Sequence, residues 1–156
     1  MTQAGDDIRG QCHCGRVEVH VALSRPVEEI DLRACQCSFC RRHGARTFAD
    51  PNGRAIIEAD HPDTLRRYRF ALKTADFLVC AGCGAYIGVL LESDGGQLVT
   101  INARGLDMEA FRDREAKPVS YDAEGFEDRL RRRLTAWMPA EVIFAAHEGR
   151  ASRPLS

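Results

Sequence analysis

Seven cysteines fall into three tight clusters, Cys12-His-Cys14, Cys35-Gln-Cys37-Ser-Phe-Cys40 and Cys80-Ala-Gly-Cys83, and none lies outside them. Thiolates so close together suit a soft tetrahedral ion such as zinc, which most often takes four ligands. In an extended C-x-C segment both side chains share one face, so Cys12 and Cys14 can meet one ion while His13 points away. The C-x-x-C of Cys80 and Cys83 instead wraps a turn around an ion, with Gly82 and Gly84 permitting the bends. Joined, the two pairs make a closed site of four cysteines that links distant parts of the chain, and metal binding there becomes folding free energy. Cys35, Cys37 and Cys40 then remain, and three protein ligands with one open position is how a catalytic zinc is held. A thiol entering that position would lose its proton, and a carbonyl would be polarised. Spacing leaves two other arrangements open: His43 closing the trio as a second structural site, or the trio recruiting Cys80 or Cys83.

A chain of 156 residues with 44% hydrophobic and 29% charged residues reads as one soluble globular domain over 1–156. The formal net charge of -1 gives no general attraction to nucleic acid or to an anionic membrane. The first ten residues hold no apolar core of a signal peptide, and no apolar run reaches the length of a membrane span. The expected location is therefore the cytoplasm, where thiols stay reduced, and the odd cysteine count argues against a disulfide framework.

The hydrophobic pattern describes short strands followed by one helix. Val17, Val19 and Val21 alternate with Glu18 and His20 over Arg16–Leu23. Further strands are expected over Glu29–Ala34, Thr47–Ala49, Arg54–Ala59, Leu65–Phe70, Phe77–Cys80, Ala85–Leu91 and Gln97–Ala103. Pro51-Asn52-Gly53 is a hairpin signal between two of them, and Gly95-Gly96 marks another turn. From Glu124 to Met138 the period changes to that of a helix, with Phe126, Leu130, Leu134 and Trp137 on the apolar side and Pro139 stopping it. Arg129, Arg131, Arg132 and Arg133 then read as a solvated face, and Leu106–Arg114 as a further short helix. The reading is a mainly β core over about 8–122, fastened by metal, and a helical tail over about 123–139 with frayed ends.

Gly10-x-Cys12-x-Cys14-Gly15, Cys35-x-Cys37-x-x-Cys40-Arg41-Arg42-x-Gly44-Ala45 and Cys80-x-x-Cys83-Gly84 together resemble the glutathione-dependent formaldehyde-activating enzymes, a family that includes the centromere protein V domain. The likeness runs from Gly10 to Ala103. It implies a β-tent fold of small antiparallel sheets held by zinc, here with a C-terminal helix. It also implies a structural ion on Cys12, Cys14, Cys80 and Cys83, and a second, catalytic or labile zinc on Cys35, Cys37 and Cys40. The implied activity is carbon–sulfur lyase chemistry, joining formaldehyde to glutathione as S-hydroxymethylglutathione.

On that reading Arg41, Arg42 and Arg46, just after the middle cluster, are candidates to bind a carboxylate of glutathione, although arginines in such positions are more often simply solvated. His43 is a candidate proton shuttle, and Phe39 and Phe48 are candidate walls of an apolar pocket with core packing the commoner role. His20, His61 and His147 read as surface residues. The partner is a small thiol or aldehyde. A zinc-stabilised binding module without catalysis is the alternative, and the fourth ligand of the middle site separates the two. A chromatin or nucleic-acid role is disfavoured by the balanced charge.

Overall fold

A computed structural model describes residues 5–70 and 74–145. The first half contains β1 (Asp7–Gln11), β2 (Val17–Ala22), β3 (Leu32–Cys35), α1 (Ser38–His43), β4 (Thr47–Phe48), β5 (Arg54–Ala59) and β6 (Leu65–Tyr68). The second half contains β7 (Asp76–Cys80), β8 (Tyr86–Ser93), β9 (Gly96–Asn102), β10 (Ala116–Val119), α2 (Phe126–Ala136) and β11 (Met138–Phe144). The architecture is mainly β with a C-terminal helix. His147 lies outside the described residues.

The described strands form one hydrogen-bonded network. Its main path runs β1-β2-β5-β11-β9-β4-β3-β10, and β8, β7 and β6 branch from β9. The fork arises because β8 pairs along all of β9, while β11 and β4 pair with different parts of it, Gln97–Val99 and Ile101–Asn102. Most pairs are antiparallel, but β10 joins β3 and β11 joins β5 in parallel.

Alternation drives burial as expected in β2, where Val17, Val19 and Val21 are buried and the residues between them are not. These valines join Phe48, Ile57, Leu78, Leu90, Ile101 and Met138 in the main core, which also contains Cys12, Cys14 and Cys80. A smaller second core gathers Cys40, Ala45, Ala75, Tyr86, Val89, Leu91 and Trp137, with Cys35, Cys37, Phe39 and Phe77 packed against it. The two cysteine groups thus occupy different environments.

Several expectations need correction. The Asn52-Gly53 turn exists, with Gly53 N–H donating to Asp50 O at 2.8 Å. It does not close a hairpin, because β4 pairs with β3 and β9 while β5 pairs with β2 and β11. The buried Asp50 carboxylate redirects the chain by accepting bonds from Ser24 N–H (2.7 Å), Ser24 Oγ–H (2.8 Å) and Asn52 N–H (3.1 Å). The Leu106–Arg114 helix reduces to a single 3-10 turn, Glu109–Phe111. The chain after the helix is β11, within the sheet. Pro139 is accommodated there because it pairs only with β9, and the pairing with β5 begins at Ala140.

Helix α2 buries only part of the face expected. Trp137 is 5% exposed and Leu130 packs on the second core as anticipated, but Phe126 and Leu134 are exposed, whereas Arg133 is only 6% exposed. Arg129, Arg133 and Trp137 recur at four-residue spacing and so line one side of the helix. That side lines the cleft described next, together with the middle cysteines and several aromatic rings.

Candidate functional site

The first two clusters that close on each other are the outer ones. Cys12 Sγ lies 3.7 Å from both Cys14 Sγ and Cys80 Sγ, and Cys14 Sγ lies 3.6 Å from Cys80 Sγ. Cys83 completes a group whose four sulfurs are all within 4.8 Å of one another. Four thiolates around zinc at about 2.3 Å have sulfur–sulfur edges of roughly 3.8 Å, so the residues fit that ion. Cys12 and Cys14 sit in a turn rather than an extended segment, yet both are buried and His13 is exposed, as the spacing implied. On the other side, Gly84 takes φ +81° and donates its N–H to Cys80 O at 2.8 Å. Gly82 serves by its lack of a side chain, since a Cβ there would sit 3.1 Å from Cys14 Sγ.

The charges of these sulfurs need a cation. Burial pushes the Cys12 and Cys80 thiols up. Cys83 is also opposed by burial, but N–H groups of Cys14 and Ala85 and neighbouring thiols bring it down to about 7. Four buried sulfurs in contact do not all ionise unless positive charge joins them.

The middle cluster is built by a different device. Cys35 ends β3, Cys37 is the N-cap of α1, and Cys40 lies in its first turn, so a strand-to-helix corner turns three sulfurs inward. Cys37 Sγ accepts the Cys40 N–H at 3.4 Å. The three sulfurs lie within 4.8 Å of one another, and among the described residues no fourth His, Cys, Asp or Glu joins them. Hydrogen bonds from Cys35 and then Cys40 hold Cys37 down to about 2. The same contacts, with Cys35 foremost, push Cys40 far up. One sulfur thus carries the charge and the others resist ionisation until a cation arrives. This soft, three-sulfur donor set also fits zinc, with a position to spare.

That spare side faces a cleft of about 90 Å³, counted as space open to the centres of water molecules. One water needs roughly 10–15 Å³ on this measure, so the cleft admits a small organic fragment. Phe70, Phe77, Val89 and Trp137 supply its apolar walls. Tyr86, buried on β8, places its hydroxyl 3.7 Å from Cys40 Sγ, and burial above all keeps it a neutral phenol. The opposite wall carries Arg33, Arg129, Arg132 and Arg133.

Placement of the other sequence candidates is mixed. His43 is exposed and stacks on Phe39, ring centres 4.5 Å apart, outside the sulfur group. Arg41 and Arg42 are exposed on α1, and the Arg46 guanidinium donates to its neighbours Ala45 O and Gly44 O. None of these three is in the lining of the cleft among the described residues. Phe39 packs edge-on against Tyr86, at 4.9 Å, and Phe48 lies in the main core. The sequence pattern did not single out Tyr86, and it placed Arg129, Arg132 and Arg133 on a solvated face, whereas they line the cleft and Arg133 is buried. The arginines repeat at helical spacing, a signal available had charge periodicity been weighed with apolar periodicity.

Residues 7–123 match the family described as glutathione-dependent formaldehyde-activating enzyme. This chain belongs to that family. Both cysteine groups lie within the matched span, whereas α2 and β11 lie beyond it. A crystal structure of a Rhodobacter sphaeroides protein is similar, with 32% identity and a TM-score of 0.53. That similarity covers 71% of this chain and 99% of the other. Among curated proteins none matches this chain. Among the described residues no helix is long and apolar enough to cross a membrane.

Proposed function

We propose that this family member catalyses formation or cleavage of the carbon–sulfur bond between a small thiol and an aldehyde at Cys35, Cys37 and Cys40. Formaldehyde with glutathione, giving S-hydroxymethylglutathione, or a related thiol and aldehyde, is the substrate pair. The observation that carries the reading is the inequality of the two sulfur groups: a four-cysteine group at the main core, and a three-cysteine group lining a cleft with no fourth His, Cys, Asp or Glu among the described residues.

Cys35, Cys37 and Cys40 would hold a zinc ion, which would supply Lewis acidity for thiol deprotonation and carbonyl polarisation. The reaction is balanced without an oxidant. The thiol gives up its proton, its sulfur lone pair forms the C–S bond, and the carbonyl π pair moves to oxygen, which takes a proton. Tyr86, held neutral, keeps an O–H donor at the floor of the cleft beside Cys40. Phe70, Phe77 and Trp137 restrict water around the reacting atoms, which strengthens these polar interactions. A thiol as long as glutathione extends out of so small a cleft, and the exposed Arg41 and Arg42 stand on the same short helix as Cys40. Arg46, bonded to its own neighbours, is the weakest of the three for that task.

The test is exchange NMR of 13C-formaldehyde and thiol with zinc-loaded protein. Acceleration of hydroxymethyl-thiol formation over the uncatalysed rate is expected, and Cys37→Ala should abolish it while the fold persists. Undiminished acceleration by folded Cys37→Ala would remove the sulfur trio from the chemistry.

A further inference from the structure

We infer that helix α2 forms a carboxylate-binding site in the same cleft, so that the thiol substrate, or its aldehyde adduct, carries a carboxylate a few bonds from its sulfur. This rests on reading the trio as a thiol site. The residues concerned lie beyond the span matched to the family.

Three guanidinium groups of α2 enter the cleft wall, and they are not equivalently paired. Arg132 is satisfied: its Nε and Nη2 donate to Glu124 at 2.9–3.2 Å, and its guanidinium lies 3.5 Å from the Tyr121 ring centre. Arg133 is only 6% exposed, yet among the described residues no carboxylate lies within 4.0 Å of it. Its Nη1 donates to Thr74 Oγ1 at 2.5 Å, whereas its buried Nε has no partner among the described residues. Arg129 differs in that Nη2, on the same edge as Nε, already donates to Tyr121 O at 3.1 Å, although its buried Nε likewise has no partner among the described residues.

A buried cation with an unfilled donor costs several kcal/mol unless something compensates it, and an arginine does not escape by losing its proton at neutral pH. For Arg133 the Trp137 ring, with its centre 4.9 Å from the guanidinium carbon, supplies only part of that compensation. Burial first, then Arg132 and Arg129, lower Arg133 to about 10, which still leaves it charged. With Nη1 committed to Thr74 and Nε without a partner among the described residues, the Nε–Nη2 edge is the one left for a planar carboxylate, which accepts two parallel N–H donors. Because the cleft is about 90 Å³ and holds Cys35, Cys37 and Cys40 as well as Arg133, only a short spacer fits between the two ends of one ligand. A mercapto acid of two or three carbons has that form.

The experiment is calorimetric titration of the zinc-loaded full chain with 3-mercaptopropionate and with its uncharged counterpart, 3-mercaptopropionamide. A charge-assisted pair is worth roughly 1.5–3 kcal/mol, so the acid should bind about 10–100-fold more tightly than the amide. Arg133→Gln should bring that ratio to about one, with zinc content and amide affinity unchanged, and Arg133→Lys should restore only part of it. Arg129→Gln reads the same ratio if Arg133→Gln fails to fold. Equal binding of acid and amide by the unaltered protein would overturn the inference. So would a ratio that survives Arg133→Gln, a loss of zinc in that variant, or stronger competition by inorganic phosphate than by propionate. The two readings fail separately. Arg133-dependent binding of propionate without thiol binding would sink the sulfur site alone, whereas thiols binding regardless of charge would sink only the carboxylate site.

Discussion

Cys80→Ala and Cys37→Ala should differ in stability by an amount that the topology sets. The outer group joins Cys12 to Cys80 across a separation of 68 residues. The chain-entropy relation for a cross-link of that length gives about 4 kcal/mol of destabilisation of the unfolded state. The trio spans only Cys35 to Cys40, and the same relation gives about 2 kcal/mol for so short a loop. The gap widens because Cys80 is 1% exposed in the main core, whereas Cys37 is half-buried in the satellite core. For a chain of this size each kcal/mol shifts Tm by about 2–4 °C, so Cys80→Ala should lower it by about 8–16 °C or more. Cys37→Ala should cost no more than about half as much. Urea or thermal unfolding at saturating zinc, with metal content measured on the same samples, reads both quantities. The unaltered chain should hold two ions and folded Cys37→Ala one. Equal losses of stability, or removal of both ions by Cys37→Ala, would refute the division into a closed and an open site.

Further outcomes follow from the same geometry. Gly84→Ala should cost about 1–2 kcal/mol, from φ +81° alone, because nothing lies within 4 Å of the added Cβ. Gly82→Ala should instead weaken zinc retention by crowding Cys14 Sγ, seen as faster metal loss to a chelator. Tyr86→Phe should slow hydroxymethyl-thiol formation by roughly 100-fold while shifting stability by less than about 1 kcal/mol, and an unchanged rate would exclude the phenol from catalysis. Asp76, buried between Arg69 and Arg67, and Asp50, bonded by Ser24 and Asn52, both have carboxyls held below the ordinary range although burial opposes this. A depressed folded pKa means that their contribution is full above the unfolded value of about 3.9 and is lost as pH falls through the folded value. Acid unfolding below about pH 4 should therefore be shallower in Asp50→Asn, which is also less stable at neutral pH.

The two cysteine groups were legible because cysteine spacing is a short-range code: neighbours within a cluster lie two or three residues apart, and only the pairing of halves is long-range. The grouping of Cys12 and Cys14 with Cys80 and Cys83 is what the spacing anticipated. Strands with clean alternation, such as Val17–Ala22, were equally readable. The failures share one cause, which is that the deciding partner is far away in sequence. Asn52-Gly53 has hairpin chemistry, but Asp50 bonds to Ser24 and sends the next strand elsewhere. Val142 and Ile143 looked like a frayed end because their partners are in Arg54–Ala59. Apolar periodicity assigned Phe126 and Leu134 to the core, yet both are exposed, while Arg129 and Arg133 line the cleft of aromatic and cysteine side chains beside α2.

The insertion of β11 between β5 and β9 makes the last described strand a keystone rather than a trailing end. Helix α2, which carries Arg129, Arg132 and Arg133, is anchored by it directly after Trp137. Cutting the protein after residue 123 would strip away one side of the cleft and also leave the facing edges of β5 and β9 bare in the middle of the sheet. Ligand preference and folding are thereby written into the same stretch of chain, and single substitutions, not truncation, are the means of separating them.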